Sequence, residues 1–361
     1  MFIVSPIMRM VASIATIILY IITAISCYGG IIPPSVTTLG SILVIGMPVL
    51  VTLSAIVTVA WFCFGHWIVG SLGVVMFLCC AGPVKMWFPL ASGQDPTPGS
   101  PTFTILTWNI LHGDDLGKPD YQGSRTLETI LRTDADIVCL QEMQGFDKKH
   151  MRHFSKTTAD SVLEKYPYRL GLGTTYDICI LSKYPLRHIY FGSVNSFILA
   201  EYCTVKIGQR EIAIANMHLP SFALNDEEKT IFSPRGSTEK KENLSKSIFH
   251  KMQHAFPVRA DAAKKVIRGF DHIAMPIVLV GDFNDVPASW TYRMFLKAGF
   301  KDAYCATNFF PTYTFYPHLF YFHLDQVMYR GNIRPLSVDR LNIRTSDHLP
   351  QLAKFEILPG Y

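Results

Sequence analysis

Acidic side chains are missing from the first ninety-four residues. That stretch has no aspartate or glutamate, and Arg9 and Lys85 carry its only permanent charges. A soluble domain of this length needs a charged surface, so the absence argues against a buried helical core and for a segment that lives in lipid. Cysteine is sparse too: eight in 361 residues cannot staple so long a chain. Cys27, Cys63, Cys79 and Cys80 sit in apolar runs, and Cys139, Cys179 and Cys203 in strand-like segments where buried free thiols are expected. Cysteine usage leaves the redox compartment open. A strong positive excess is also lacking. Past residue 94 there are 31 basic and 28 acidic residues, net +3, which is no nucleic-acid footprint. No serine or cysteine occupies an evident nucleophile motif, which points away from a covalent enzyme intermediate.

What fills the N-terminal region is hydrocarbon. Apolar runs cover residues 11–25, 39–64 and 67–84, each near the roughly 20 residues a spanning helix needs. Gly29-Gly30 with Pro33-Pro34 makes a first turn, and Gly65-His66 a tighter second one. Residues 1–90 are therefore expected to form a multi-pass membrane anchor of about three transmembrane helices. Two spans with a re-entrant or interfacial third segment are the alternative. A cleaved signal peptide fits poorly, because two further runs follow the first. Arg9 before the first run favours a cytoplasmic N-terminus, which after three spans puts the rest of the chain on the extracytoplasmic side. Lys85, just past the third run, argues the other way. Residues 91–101, ASGQDPTPGSP, have the composition of a linker.

From residue 102 onward short apolar runs alternate with amphipathic stretches. Strand character appears at residues 103–110, 136–142, 178–182, 197–207, 210–219 and 277–285, with shorter strands around 313–315, 323–329 and 354–357. Helices are expected over 124–133, 258–270 and 289–298. The charged segment 221–256 reads as a loop carrying a helix over 244–253, lying over or beside a site. Strands outnumber helices and some show half-buried alternation, which favours two packed sheets flanked by helices over one doubly wound sheet.

Polar residues recur where these strands emerge: Asn109, Gln141-Glu142, Asn216, His218, Asp282, Asn284, Asp285, Asp325 and Asp347-His348. Each has an ordinary reading by itself. Asn109 fits a turn or cap, Glu142 a surface carboxylate, His218 a structural histidine, Asp282 with Asn284 an Asx-turn, and Asp325 an ion pair. Buried strands do not otherwise need so many carboxylates, because an unpaired buried charge is expensive. Gathering them around a hard cation relieves their repulsion, and oxygen ligands suit Mg²⁺ or Mn²⁺.

Taken in order, the segments TWNILHG, DADIVCLQE, ANMHLPS, VGDFNDVPAS, LDQVMY and SDHLP resemble the motifs of the endonuclease/exonuclease/phosphatase superfamily, the DNase I-like hydrolases. The resemblance covers residues 102–361. With the apolar spans, RADAAKKV and NDVPASWTYR, it extends to membrane-anchored bacterial members. It implies a four-layer α/β/β/α sandwich preceded by N-terminal transmembrane helices. It also implies site roles. Glu142, helped by Asn109 and Asp347, would hold the metal, Mg²⁺ or Mn²⁺. Asp282 would orient or deprotonate the attacking water, and Asn284 would hold a phosphate oxygen. His218 and His348 would stabilise charge on the phosphoryl group, with Asp325 fixing the ring of His348.

Three departures qualify the match. Leu111 stands where abasic-site nucleases carry a second acid, and His112-Gly113 resembles other branches, so His112 faces the pocket or serves the loop. Asp177 stands where a glycine is frequent, and no inositol-recognition motif is evident. Trp290, Tyr292, Phe309, Phe310, Tyr313 and Phe315 either rim the site or pack the second sheet. The expectation is a metal-dependent phosphoesterase, hydrolysing phosphodiesters by in-line attack of water at a membrane. Its substrate would be a lipid head group, a nucleic acid or a small molecule. An extracytoplasmic nuclease, a lipid-directed phosphomonoesterase and a non-catalytic binding module are the alternatives. Oligomeric state is not legible.

Overall fold

The computed structural model describes residues 6–113, 124–143, 155–171, 178–194, 197–231, 238–317 and 321–359. Asp177 lies outside them.

The N-terminal apolar runs form α1 (Pro6–Tyr28), α2 (Leu39–Cys63), α3 (Trp67–Cys79) and α4 (Ala81–Trp87). Two helices, 6–31 and 39–63, are long and apolar enough to cross a membrane, with mean hydropathies of 2.2 and 2.5. The third run is bent by 73° between α3 and α4, so it is a broken span or a re-entrant turn. The helices meet through hydroxyls: Tyr20 with Thr58 at 2.7 Å, Thr23 with Ser54 at 2.8 Å, and Trp61 Nε1 donating to Thr16 at 3.0 Å. The partners in α2 fall in number from Trp61 through Thr58 to Ser54 as those in α1 rise from Thr16 through Tyr20 to Thr23, so the two run antiparallel. Packing together with such polar contacts is what joins helices whose surfaces are apolar. Tyr28 of α1 donates to the carbonyl of Cys79, which brings α3 back to the end where α1 finishes.

The rest of the chain builds two six-stranded sheets. In the first, the order is β11 (Ile333–Arg340), β12 (Gln351–Ile357), β1 (Thr102–Asn109), β2 (Ile137–Gln141), β4 (Ile178–Ser182) and β3 (Tyr168–Leu170). In the second, it is β5 (Leu186–Val194), β6 (Phe197–Ile207), β7 (Arg210–His218), β8 (Ile277–Asp282), β10 (Asp325–Arg330) and β9 (Lys301–Asp302). Period-two alternation decides the layers. Phe103, Ile105, Ile137, Cys139, Val205, Ile214, Val278, Val280 and Val327 fill one core between the sheets. Leu106, Trp108, Val138 and Leu140 point the opposite way, onto Leu127 and Ile130 of α5 (Ser124–Thr133) and Val162 of α6 (Lys156–Lys165). Ala213, Ala215 and Leu279 face Ala263 and Val266 of α8 (Thr238–Arg268) and Phe295 of α9 (Trp290–Lys297). The result is the α/β/β/α sandwich, with central strands apolar on both faces because both are covered.

Several local expectations need correction. The helices read at 244–253 and 258–270 are one 31-residue helix, α8, which runs through Pro257. Packing of Phe256, Ala260 and Ala263 outweighs the hydrogen bond that proline cannot donate. The shorter α7 (Asp226–Lys229) precedes it, closed by a capping box between Asn225 and Glu228. Residues 313–315 contribute only isolated bridges from Phe315. Strands β5, β11, β3 and β9 carried too little alternation to be read. The eight cysteines are all free. Residues 91–101 hold no regular element; Ala91 and Gln94 donate to the carbonyls of Asn308 and Leu336, and Thr97 donates to Glu356.

The N-terminal helices also pack against the sandwich. Val44, Met47 and Trp87 share a buried cluster with Val286 and Ala288. A Cβ on Gly30 would lie 2.0 Å from the Ala288 carbonyl oxygen, so only glycine permits this approach. Arg293 of α9 donates to the carbonyl of Cys27 at 3.0 Å.

Candidate functional site

Two parallel strand pairs place the polar residues. In the first sheet β1 and β2 run side by side with Asn109 opposite Gln141, so Asn109 and Glu142 emerge together. In the second, β7 and β8 pair His218 with Asp282, and β10 pairs Asp325 with that same Asp282. Phe315 bridges to His348, bringing in the segment before β12. Gly281 makes the crowding feasible: its φ is +134°, and a Cβ there would meet the Met217 carbonyl oxygen at 1.9 Å.

The side chains converge on Asp282, which is almost fully buried. Asn109 Nδ2 donates to Glu142 Oε1 at 2.9 Å and to Asp282 Oδ2 at 3.1 Å. The Asn284 backbone N–H donates to Asp282 Oδ1 at 2.7 Å. His218 Nε2 and His348 Nε2 stand 3.9 Å and 3.6 Å from Asp282 Oδ2. His348 Nδ1 lies 2.7 Å from Asp325 Oδ2. Burial would lower the pKa of His348, but the carboxylates of Asp325 and Asp282 outweigh it and the pKa is raised. Burial in turn raises the pKa of Asp325, against the pull of the His348 ring. The Asn284 side chain spends one N–H on the Leu219 carbonyl at 2.8 Å, and its second N–H has no partner among the described residues and can bind an anion.

Glu142 and Asp347 line the same cavity as Asp282 and His348. His112 Nε2 stands 3.7 Å from Glu142 Oε2, so His112 does face the site. The cavity also receives Lys229, 3.5 Å from Asp347 Oδ2, which no sequence signal marked. Backbone strain concentrates here: among described non-glycine residues with positive φ, all but Asp134 lie at or beside the cavity, namely Leu111, His112, Glu142, Ala223, Asn284 and Ala288.

Other strand-end polar residues do different work. Gln141 donates to Asn216 at 2.6 Å, and Asn216 donates to the carbonyls of Leu140 and Cys179, so these amides tie the two sheets together behind the site. Asp285 faces the fully buried Arg259 at 3.8 Å. That guanidinium also donates to the Pro220 carbonyl and lies 4.3 Å over the Phe222 ring. Of the six aromatic residues singled out, Trp290 and Tyr292 are buried, Phe315 lines the cavity, and Phe309 and Phe310 are exposed.

The donor set suits a hard divalent cation. Four carboxylates, Glu142, Asp282, Asp285 and Asp347, line a cavity whose only lysine among the described residues is Lys229. Glu142 Oε2 lies 3.7 Å from His112 Nε2, and carboxylate oxygen donors match Mg²⁺ or Mn²⁺. The tightest cluster of possible ligand atoms is instead Asp282, Asp325 and His348, all within 4.8 Å of one another. There His348 Nδ1 lies 2.7 Å from Asp325 Oδ2.

The profile of the Endonuclease/Exonuclease/phosphatase family matches residues 106–348. No curated protein matches the chain in sequence. Among solved structures, the endonuclease/exonuclease/phosphatase from Bacteroides vulgatus is similar at 20% identity and a TM-score of 0.50, covering 71% of this chain and 99% of its own. The human nocturnin catalytic domain with bound sulfate aligns at 18% identity and 0.48, covering 73% and 97%. The endonuclease/exonuclease/phosphatase from Beutenbergia cavernae aligns at 15% and 0.46, covering 72% of each chain.

Proposed function

The chain belongs to the Endonuclease/Exonuclease/phosphatase family, and from that premise we propose that it is a divalent-metal-dependent phosphoesterase. It hydrolyses phosphodiester bonds by in-line attack of water while tethered to a membrane. The observation that carries the reading is the convergence on Asp282 of Asn109, His218 and His348 at one end of the sandwich.

Glu142, Asn109 and Asp347 would hold the cation, Mg²⁺ or Mn²⁺, in keeping with the divalent metals used by the family. When bound, it supplies Lewis-acid polarisation of the phosphoryl oxygens. Asp282 takes the proton of the attacking water. Its two oxygens are pinned by Asn109 and by the Asn284 backbone, so the base is already aimed before substrate arrives. His348, locked by Asp325, and His218 across from it donate toward the oxygens on which negative charge grows. Asn284 offers its free N–H to another phosphoryl oxygen.

In this reading residues 1–90 are the anchor, 91–101 the connection and 102–361 the catalytic domain. α1, the antiparallel α2 and the returning α3 set the N-terminus and the domain at opposite ends of the helices. With Arg9 at the N-terminal side, the positive-inside tendency puts the domain on the extracytoplasmic face. The test is hydrolysis of a diester, a monoester, plasmid DNA and phospholipid by the full-length protein with Mg²⁺ or Mn²⁺, using Glu142→Ala as the blank. Cleavage absent from the blank supports the enzyme; equal turnover by both proteins rejects it.

A further inference from the structure

The cavity holding Glu142, Asp282 and His348 has a second half made of hydrocarbon. It measures about 420 Å³, and beyond the polar cluster its walls include Leu224, Ile248, Met252, Phe315 and Ile45. Ile248 and Met252 belong to α8, and Ile45 to α2, one of the two helices able to cross a membrane. A wall of the catalytic cavity is therefore contributed by the anchor. Resting on the phosphoesterase reading above, we infer that the substrate is a membrane phospholipid. Its phosphate sits at the Asp282 end and its hydrocarbon chain lies against Ile45, Ile248 and Met252.

Three observations support this occupant. First, the apolar wall is continuous with α2, so a lipid chain entering from the leaflet stays in apolar surroundings and no hydrocarbon has to cross water. Second, a polynucleotide needs a row of cations for its phosphates, whereas among the described residues the cavity offers Lys229 as its one lysine or arginine, and Asp347 already faces it. Third, Tyr313 and Tyr321 form a separate groove with Val49 and Leu53 of α2. Phe309 and Phe310, 55% and 71% exposed, stand beside it in the chain, as aromatics do at a bilayer interface.

The reaction balances as an ordinary hydrolysis. The water oxygen bonds to phosphorus as its proton passes to Asp282. One phosphorus–oxygen ester bond breaks, the departing oxygen leaves as an alcohol after taking a proton from solvent, and Asp282 returns its proton to solvent.

The experiment uses the full-length protein in vesicles of phosphatidylcholine, phosphatidylethanolamine and phosphatidylglycerol with Mg²⁺. Bis(p-nitrophenyl) phosphate and plasmid DNA serve as soluble esters, and Glu142→Ala as the blank. The wild type is expected to cleave phospholipid. Met252→Trp, which fills the apolar half from an exposed helix, should lower lipid hydrolysis at least tenfold relative to the soluble diester. Met252→Leu should restore the ratio, and Ile45→Trp should repeat the loss from the anchor side. Blank-sensitive cleavage of soluble ester or DNA with phospholipid untouched overturns the inference and leaves the phosphoesterase reading standing. An unchanged ratio in both tryptophan variants overturns it equally. Silence toward every ester overturns the phosphoesterase reading, and this inference with it.

Discussion

Asp325 holds the ring of His348 through a 2.7 Å contact to Nδ1 while sitting directly opposite Asp282 in the β8–β10 register. One carboxylate thus aims the opposite ring nitrogen at the other carboxylate. Asp325→Asn keeps the shape but loses the charge. It should lower kcat about 10–100-fold, the usual cost of removing a ring-orienting partner, with little change in KM. Steady-state kinetics on the diester decide it, and wild-type turnover would remove the positioning role.

Asp282→Asn removes the base at the centre of the cluster. Turnover should drop by roughly 10²–10⁴-fold, the range for general-base catalysis. The fold should persist, because an amide oxygen can still accept from the Asn284 N–H. Circular dichroism and melting check the fold, and activity near normal would reject the role.

Glu142→Ala tests the cation separately from the chemistry. Mn²⁺ binding followed by electron paramagnetic resonance should weaken at least tenfold in Glu142→Ala and hold nearly steady in His218→Ala. The reverse pattern would move the cation to the histidine side.

Glu201 gives a pH-dependent prediction outside the site. It is fully buried, both carboxyl oxygens lack hydrogen-bond partners among the described residues, and burial raises its pKa from 4.5 to about 8. The folded protein keeps a proton that the unfolded chain releases, so stability falls as pH rises from about 4.5 to 8. At about 1.4 kcal/mol per tenfold change in the protonation equilibrium, the penalty is on the order of a few kcal/mol. Glu201→Gln should flatten that slope, raising the melting temperature at pH 8 more than at pH 5. Equal shifts at both pH values would count against it.

Gly30 tests the docking of the anchor. Gly30→Val pushes a side chain into the Ala288 carbonyl and should cost about 1–3 kcal/mol, the range for overpacking. A full-length protein in detergent that melts unchanged would show that this contact is dispensable.

Much of the site was legible because its residues sit where apolar strands stop. Asn109, Glu142, His218, Asp282 and Asp325 are each preceded or carried by a run whose alternation marks a strand, and the structure brings them all to one end of the sandwich. Asp347 and His348 lack such a run and were readable only through SDHLP as a motif. Lys229 and Arg259 escaped notice because partners distant in sequence give them their positions. Ile45 was invisible for a different reason: within a uniformly apolar helix nothing distinguishes the residue that faces a cavity from those that face lipid. Pro257 misled locally, since a proline reads as a break until the packing that overrides it is known.

The bond from Arg293 to the last turn of α1, with the glycine seat on Ala288, means the sandwich is not a weight on a string. Under the proposed anchoring, a domain fastened to its stem beside the candidate site would keep one height and one tilt above the bilayer. It would therefore search a plane and not a volume for esters embedded in that bilayer, while soluble esters would have to diffuse to it.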